Sequence, residues 1–457
     1  MHATSTATGA PSITAAYLAR YRAIAADTPQ ALLPLTGAQR RFLITRRLTP
    51  GGRPEIVPVF FAYPRGTVDL PRLQRAATTV AARHPALCGA FANVRATPVL
   101  RVGGPSAEAA RVAVAPGGSA REALREALLD WPADGPALRL LVAEEPDGDE
   151  ELLAVALDHA ACDEQSLGVV TAELEDAYAA DAQPGRGPDE AAVADYREAV
   201  ERQLAAEDAA STPAAHAHWG ERLGGLATTE AGPAHSTGML TERVPGAVRG
   251  SVFPVLLDAV AVAAHRLHGT GGLHGTGPDR SRPLGTGPDR SRPLGTGPDR
   301  SRPLALGYPW GGRPSGAPAA LGCFINTLVH PALPGPTGDL DALADGWWDD
   351  LDHADTPFDE VVRAARAAGA GWNGALDGLL TLEDLHRRPP LALAGVPGRE
   401  THLAGRPLPV PLAVSASHGD DLLVRLAWDR ERFPDATAEA AFEGLLGALR
   451  HHLRPAA

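Results

Sequence analysis

The chain has 457 residues, 44% of them hydrophobic and 21% charged, which is material for two or three packed domains at ~150 residues each and excludes wholesale disorder. All 42 positive charges are arginine, so any mechanism built on a lysine amine, such as a Schiff base or a P-loop phosphate clamp, is excluded. A net charge of −13 argues against a nucleic-acid-binding surface, and the scattered Cys88, Cys162 and Cys323 argue against a disulfide framework or a Cys-rich zinc site.

Residues 1–30 read as a small, polar tail with one short helix over 13–26. They lack a basic segment followed by an apolar one, and no run of about 18 apolar residues follows, so the expectation is a soluble cytoplasmic protein that meets no membrane. From 31 to 180 strand-like and helix-like segments alternate. Residues 55–63 (EIVPVFFAY) are β-branched and aromatic, 70–83 (LPRLQRAATTVAAR) have helical apolar spacing, and 151–159 read as a strand. A helix follows with Leu167, Val170, Leu174 and Tyr178 on one face. Residues 181–215 form an acidic connection with Pro/Gly-rich ends, and 216–457 form a second α/β unit. That unit closes with strands at 412–416 and 422–428 and a helix over 436–453. The decamer GTGPDRSRPL recurs in tandem over residues 275–304, with one leucine per copy to bury, so 269–304 reads as a disordered surface insertion.

Residues 152–166 (LLAVALDHAACDEQS) hold the densest chemistry. On a strand, Leu153, Val155, Leu157 and His159 share one face and Asp158 points to the other, so Asp158 and His159 cannot pair within it. Asp163 and Ser166 fall where a following helix would be capped. His159 at a strand end reads either as a general base facing a cleft or as a buried histidine beside an Asp163 cap. Cys162 has acidic neighbours and reads as a buried structural thiol rather than a nucleophile. Trp347 and Trp348 read as packing a helix between the units, and His451 and His452 as complementing a helix C-terminus. The Gly-rich runs at 269–277 and 311–312 lack the strand and helix of a dinucleotide site, and no His/Asp/Glu cluster has metal spacing.

Several segments in order carry a resemblance. Residues 36–43 (TGAQRRFL) are similar to an SxAQxRxxxL motif, 83–91 (RHPALCGAF) to RHxxLRTxF, and 157–166 (LDHAACDEQS) to HHxxxDGxS. Residues 321–328 (LGCFINTL) are similar to IGxFVNTx and 353–359 (HADTPFD) to HQDxPFE, and Asp195, Tyr196 and Trp219 fall where the bridging region that precedes them has its usual aromatics. Together they resemble the condensation-domain superfamily of nonribosomal peptide synthesis.

The resemblance implies an α/β protein of two chloramphenicol acetyltransferase-like subdomains, arranged in a V around a central tunnel. Carrier proteins would deliver substrates on phosphopantetheine, with no cofactor or metal bound directly, and an amine or alcohol acceptor would attack the donor thioester. His159 would handle the acceptor proton. Asp163 would be a structural residue paired with an arginine of the other subdomain, for which Arg313 is the candidate. Ser166 would belong to the same support, and Asn326 would line the tunnel or satisfy strand-end backbone groups.

Two departures stand out: Asp158 replaces the first histidine and Glu164 the glycine. An outward-facing Asp158 would be tolerated. Glu164 would be strained if its position needs a positive φ, and would set a carboxylate near the site for a cationic acceptor. Asp158, Asp163 and Ser166 also fit the DxxxxDxxS spacing of heterocyclisation domains, although His159 is kept. A degenerate module that binds a carrier and recruits a tailoring enzyme is a further reading. With no room for adenylation, carrier or thioesterase segments, a free-standing condensation enzyme acting in trans in antibiotic or other secondary-metabolite biosynthesis is the expectation.

Overall fold

A computed structural model describes residues 11–27, 32–48, 55–132, 134–229, 234, 236–245, 251–270, 302–335, 339–384, 389–419 and 421–452. The first helix, α1 (Ile13–Ala26), starts at Ser12, whose hydroxyl accepts the Ala15 N–H. Tyr17, Tyr21 and Ile24 recur at helical spacing and are buried in the N-terminal core. The stretch expected as a helix in a tail is therefore a core helix.

The rest of the N-terminal half alternates strands and helices: β1 (Leu32–Leu33), α2 (Gly37–Leu48), β2 (Ile56–Pro64), α3 (Leu70–Arg83), the single turn α4 (Pro85–Cys88), β3 (Ala90–Val94), β4 (Thr97–Arg101), β5 (Ala107–Arg111), α5 (Ala120–Leu129), β6 (Leu138–Glu144), β7 (Glu150–Asp158) and α6 (Glu164–Ala179). Strand β7 lies between β2 and β6, antiparallel to both. Its alternation drives both layers: Leu153, Val155 and Leu157 face the core that holds α3 and α6, while Leu152, Ala154 and Ala156 face the one that holds α5. A strand covered on both faces needs an unbroken apolar run, which residues 152–157 supply.

Helices α7 (Glu190–Ala210) and α8 (Pro213–Leu223) connect to the second half. That half contains β8 (Thr237–Val244), α9 (Val252–Thr270), β9 (Leu304–Gly311), β10 (Ile325–Ala332), α10 (Leu340–Leu351), α11 (Phe358–Ala367), β11 (Gly378–Asp384), β12 (Ala392–Leu393), β13 (Val396–Pro397), β14 (Arg399–Thr401), β15 (Leu412–His418), β16 (Leu422–Asp429) and α12 (Asp435–His452). Its six-stranded sheet runs β10-β9-β11-β15-β16-β8 and has its own core. The decamer repeats lie almost wholly at residues 271–301, outside the described residues.

One segment leaves its own half. Strand β14 pairs antiparallel with β2, Leu391 and Leu393 are buried in the N-terminal core, and the Tyr63 hydroxyl donates to the Leu391 carbonyl at 2.8 Å. The second unit expected over 216–457 thus lends a strand to the first.

The first 18 residues of helix α9 have a mean hydropathy of 1.2, apolar enough by length and composition to cross a membrane, although Asp258, His265 and Arg266 interrupt the run. Most of that surface is buried in the C-terminal core, with Leu256, Val260, Ala263 and Leu267 fully covered. His452, in the last turn of α12, pairs with the buried Asp258 of α9 at 3.1 Å. Trp347 stacks on Phe253 within the same core, whereas Trp348 is exposed, so neither packs between the halves as expected.

Beneath this core, Asp350 of α10 accepts from Arg222 at 3.0 Å and pairs with His218 at 3.2 Å, both on α8. The Arg222 guanidinium also lies 3.4 Å from Nδ1 of His330 on β10. Burial, reinforced by Arg222 and opposed by Asp258, pulls the His330 pKa from 6.5 to about 3. Its folded-state value is depressed, so the stability that depends on neutral His330 is complete above pH 6.5 and drains away as the pH falls toward 3. We predict a loss of about 2 kcal/mol from this group between pH 7 and pH 5. Urea denaturation at the two pH values checks this: His330→Gln should flatten the pH dependence by that amount.

Candidate active site

His159 follows the last residue of β7 and opens a short 3-10 turn, His159–Ala161. Its backbone N–H donates to the Glu55 carbonyl at 2.9 Å, which continues the β2–β7 ladder by one step. Its ring stacks on Phe42 of α2, with centroids 4.3 Å apart and planes 25° from parallel. The ring's Nδ1 lies 3.1 Å from the Cys162 carbonyl. A carbonyl only accepts, so Nδ1 carries a proton, and in the neutral ring Nε2 is the nitrogen with the lone pair. Nε2 has no hydrogen-bond partner among the described residues.

The turn is held from behind. Gln39 of α2 donates to the Ala160 carbonyl at 2.8 Å and to the Tyr196 hydroxyl of α7 at 3.0 Å, all within the interior. Asp158 is buried rather than outward-facing: it caps the turn by accepting the Ala160 N–H at 2.9 Å and forms an ion pair with Arg46 of α2. Burial pushes the Asp158 carboxyl above the usual aspartate range, and Arg46 opposes this. The substitution of the first histidine is thus compensated by a charge partner a helix away.

Asp163 caps α6 and joins the halves. Its Oδ1 accepts from the Ser166 N–H at 2.8 Å and the Ser166 hydroxyl at 2.7 Å, and its Oδ2 accepts the Phe324 N–H at 3.1 Å. Arg313, just beyond β9 in the second half, pairs with Asp163 at 3.2 Å. It also donates to Gln165 and to the Ala320 carbonyl, and its guanidinium lies over the Phe324 ring at 4.5 Å. The Ser166 hydroxyl bridges to the backbone of Gly322. Glu164 is exposed at the first position of α6 and does not have a positive φ, so the strain expected of a non-glycine residue is not incurred.

Asn326 on β10 is fully engaged. Its amide donates to the Ala354 and Thr356 carbonyls at 2.8 and 2.7 Å, and its oxygen accepts the Thr327 and Phe358 N–H groups at 2.9 and 3.2 Å. It therefore pins the segment before α11, and the same residue borders a recess. The recess is walled by Arg41 and Phe42 of α2, Gln203 of α7, Asn326, and Asp355 and Asp359 near α11. It lies between elements of the two halves and adjoins His159 through Phe42.

Sequence motifs hundreds of residues apart thus meet here. Thr36 of the first motif donates to the Cys323 carbonyl of the fourth at 2.8 Å. In the second motif, His84 pairs with Glu173 of α6 at 3.1 Å, a structural contact away from the recess. Burial raises the thiols of Cys162 and Cys323 well above the ordinary range, which keeps both inert. Phe42, Gln39, Arg46 and Arg41 escaped residue-level reading. The first motif marked Gln39, Arg41 and Phe42 but not Arg46, and spacing alone does not say that α2 lies against the end of β7.

No protein-family profile matches the chain. A stretch of 82 residues is 37% identical to tyrocidine synthase 2 of Brevibacillus parabrevis, covering 18% of this chain and 2% of that much longer protein. Among solved structures, the first condensation domain of the calcium-dependent antibiotic synthetase, in complex with a substrate analogue, superposes with a TM-score of 0.65 at 17% identity over 94% of this chain and 98% of its own. The X-domain from teicoplanin biosynthesis gives 0.61 at 17% identity over 93% and 97%. The starter condensation domain of rhizomide synthetase gives 0.61 at 14% identity over 92% and 94%. The likeness covers more than nine-tenths of the chain, which has the condensation-domain fold.

Proposed function

We propose that the protein is an acyltransferase that joins a carrier-tethered acyl or aminoacyl thioester to an amine, as a step of natural-product biosynthesis. What supports this reading is the placement of His159: its ring is clamped by Phe42 and by the Cys162 carbonyl, and Nε2 is left unengaged near a recess between the halves. The amine nitrogen attacks the thioester carbonyl, the C–N bond forms and the C–S bond breaks. Nε2 takes the proton that the nitrogen sheds and returns it to the departing phosphopantetheine sulfur, so the histidine ends each cycle as it began. Positioning the two substrates supplies most of the acceleration.

The test is reconstitution with a donor-loaded carrier protein, supplied as a separate protein, and a panel of amines, with products read by mass spectrometry. The expected product is the amide with release of the free carrier thiol. A thiazoline or oxazoline product would assign cyclisation instead. Tight carrier binding with no turnover across the panel would make the protein a recruitment module, a reading favoured only by the replacements at Asp158 and Glu164.

A further inference from the structure

One face of α2 meets the His159 turn residue by residue. Gln39, Phe42 and Arg46 stand at positions i, i+3 and i+7 of the helix, which share one side. Gln39 donates to the Ala160 carbonyl at 2.8 Å, Phe42 stacks on the His159 ring, and Arg46 pairs with Asp158. The helix thus runs against residues 158–160 in reverse order. The first two contacts reach a backbone carbonyl and an aromatic face, and neither depends on what stands at position 158. The third exists only because that residue is an aspartate.

Asp158 replaces the first histidine of the motif that this segment resembles, and the replacement changes what the position needs. A neutral imidazole can be buried without a counter-charge, whereas a buried carboxylate needs one. Asp158 is 6% exposed, and burial drives its carboxyl above the ordinary aspartate range while Arg46, the Ala160 N–H and His159 hold it down. Its two oxygens have separate tasks. Oδ1 accepts the Ala160 N–H at 2.9 Å and so caps the turn, and Oδ2 takes the Arg46 guanidinium. The bond that sets the imidazole, from Nδ1 to the Cys162 carbonyl at 3.1 Å, closes across the same turn. Without Arg46 the carboxylate is stranded: it must swing toward water or take up a proton, and either change weakens the Ala160 cap. Neither Arg46 nor Asp158 lines the recess, so the effect reaches the reaction through His159.

We infer that Arg46 is a positioning residue for His159: it holds the Asp158 carboxylate in the cap of the turn, and through that cap it fixes the imidazole. The replacement at position 158 is then compatible with catalysis and does not mark a degenerate module. The inference rests on the acyltransferase reading proposed above, and one arm of its test needs no turnover.

Arg46→Met, Asp158→Asn and the two combined, all in the full chain, carry the test, each compared under conditions where urea denaturation shows it fully folded. Arg46→Met should lower kcat for amide formation about ten- to a hundredfold, with KM changed by no more than about twofold. In the Asp158→Asn background no carboxylate is stranded and the amide oxygen can still cap Ala160, so the same change should cost about threefold or less. In ¹⁵N spectra of the imidazoles, with His159 assigned by the loss of its signals in His159→Gln, the unaltered protein should show a ring protonated at Nδ1. Arg46→Met should change that pattern, and the double variant should restore it. If methionine at position 46 prevents folding, Arg46→Lys takes its place. One guanidinium nitrogen meets the carboxylate, so a lysine ammonium should keep kcat within about threefold, and a larger loss would count against the role. A folded Arg46→Met protein with unchanged kcat and spectrum, an equal loss in both backgrounds, or a raised KM at constant kcat would each overturn the assignment. The expected spectral changes without amide formation by any of the proteins would instead count against the acyltransferase reading and leave the hold of Arg46 on the turn standing.

Discussion

Asp163→Ala is expected to destabilise the protein by about 3–5 kcal/mol, the loss typical of removing one partner from a buried ion pair. The carboxylate is almost inaccessible and serves donors from three places at once: the first turn of α6, the Phe324 amide and the Arg313 guanidinium. Removing it uncaps α6 and leaves the Phe324 N–H short of an acceptor in the interior, while the Ser166 hydroxyl can still donate to the Gly322 carbonyl. Asp163→Asn should be nearly as damaging. An amide has one accepting oxygen, so its NH2 group must face either the Phe324 N–H or the arginine. Arg313→Ala should cost less, about 1.5–3 kcal/mol, because Ser166 and Phe324 still satisfy the carboxylate. In a double-mutant cycle read by urea denaturation, the two losses should fall short of additive by 0.5 kcal/mol or more, since each removes the same contact. Additive losses would show that Arg313 and Asp163 do not act as a pair.

Much of this support was legible in the residues, and the reasons it was legible are local. Residues 152–157 alternate between two apolar faces, so β7 and the position of His159 at its end follow from strand periodicity. Asp163 three residues before Ser166 is a helix-start pattern, and α6 begins between them. The late strands and the closing helix were equally readable, because a regular apolar period is a short-range signal.

What stayed hidden depends on long-range placement. Asp158 was expected to face outward because a strand's neighbours are its only visible context. The structure lays α2 across that end of β7, and Arg46 meets the carboxylate from 112 residues away. The return of β14 to the N-terminal sheet was invisible for the same reason: three residues of edge strand carry no periodicity, and their pairing with β2 is a tertiary fact. Asn326 was read with two roles open. The bonds it makes to residues 354–358 give it the backbone-pinning role, and its place on the recess wall is a consequence of that.

His159→Ala should abolish most amide formation while leaving the fold intact. The ring contributes one hydrogen bond and one stacked contact, so its loss should move the denaturation midpoint little, unlike the loss of Asp163. Its catalytic share is that of a positioned general base, about 10²–10⁴-fold in kcat. Phe42→Ala supplies the complementary measurement. It leaves the imidazole and its bond to Cys162 in place and removes the face that fixes the ring plane, together with that part of the recess wall. If orientation of Nε2 is what the site provides, Phe42→Ala should lower kcat by about tenfold or more without abolishing it. Combining it with His159→Ala should then add nothing, because a stack cannot position a ring that is absent. A His159→Ala protein that retains full turnover would remove the imidazole from the chemistry and leave substrate positioning as the whole of the catalysis.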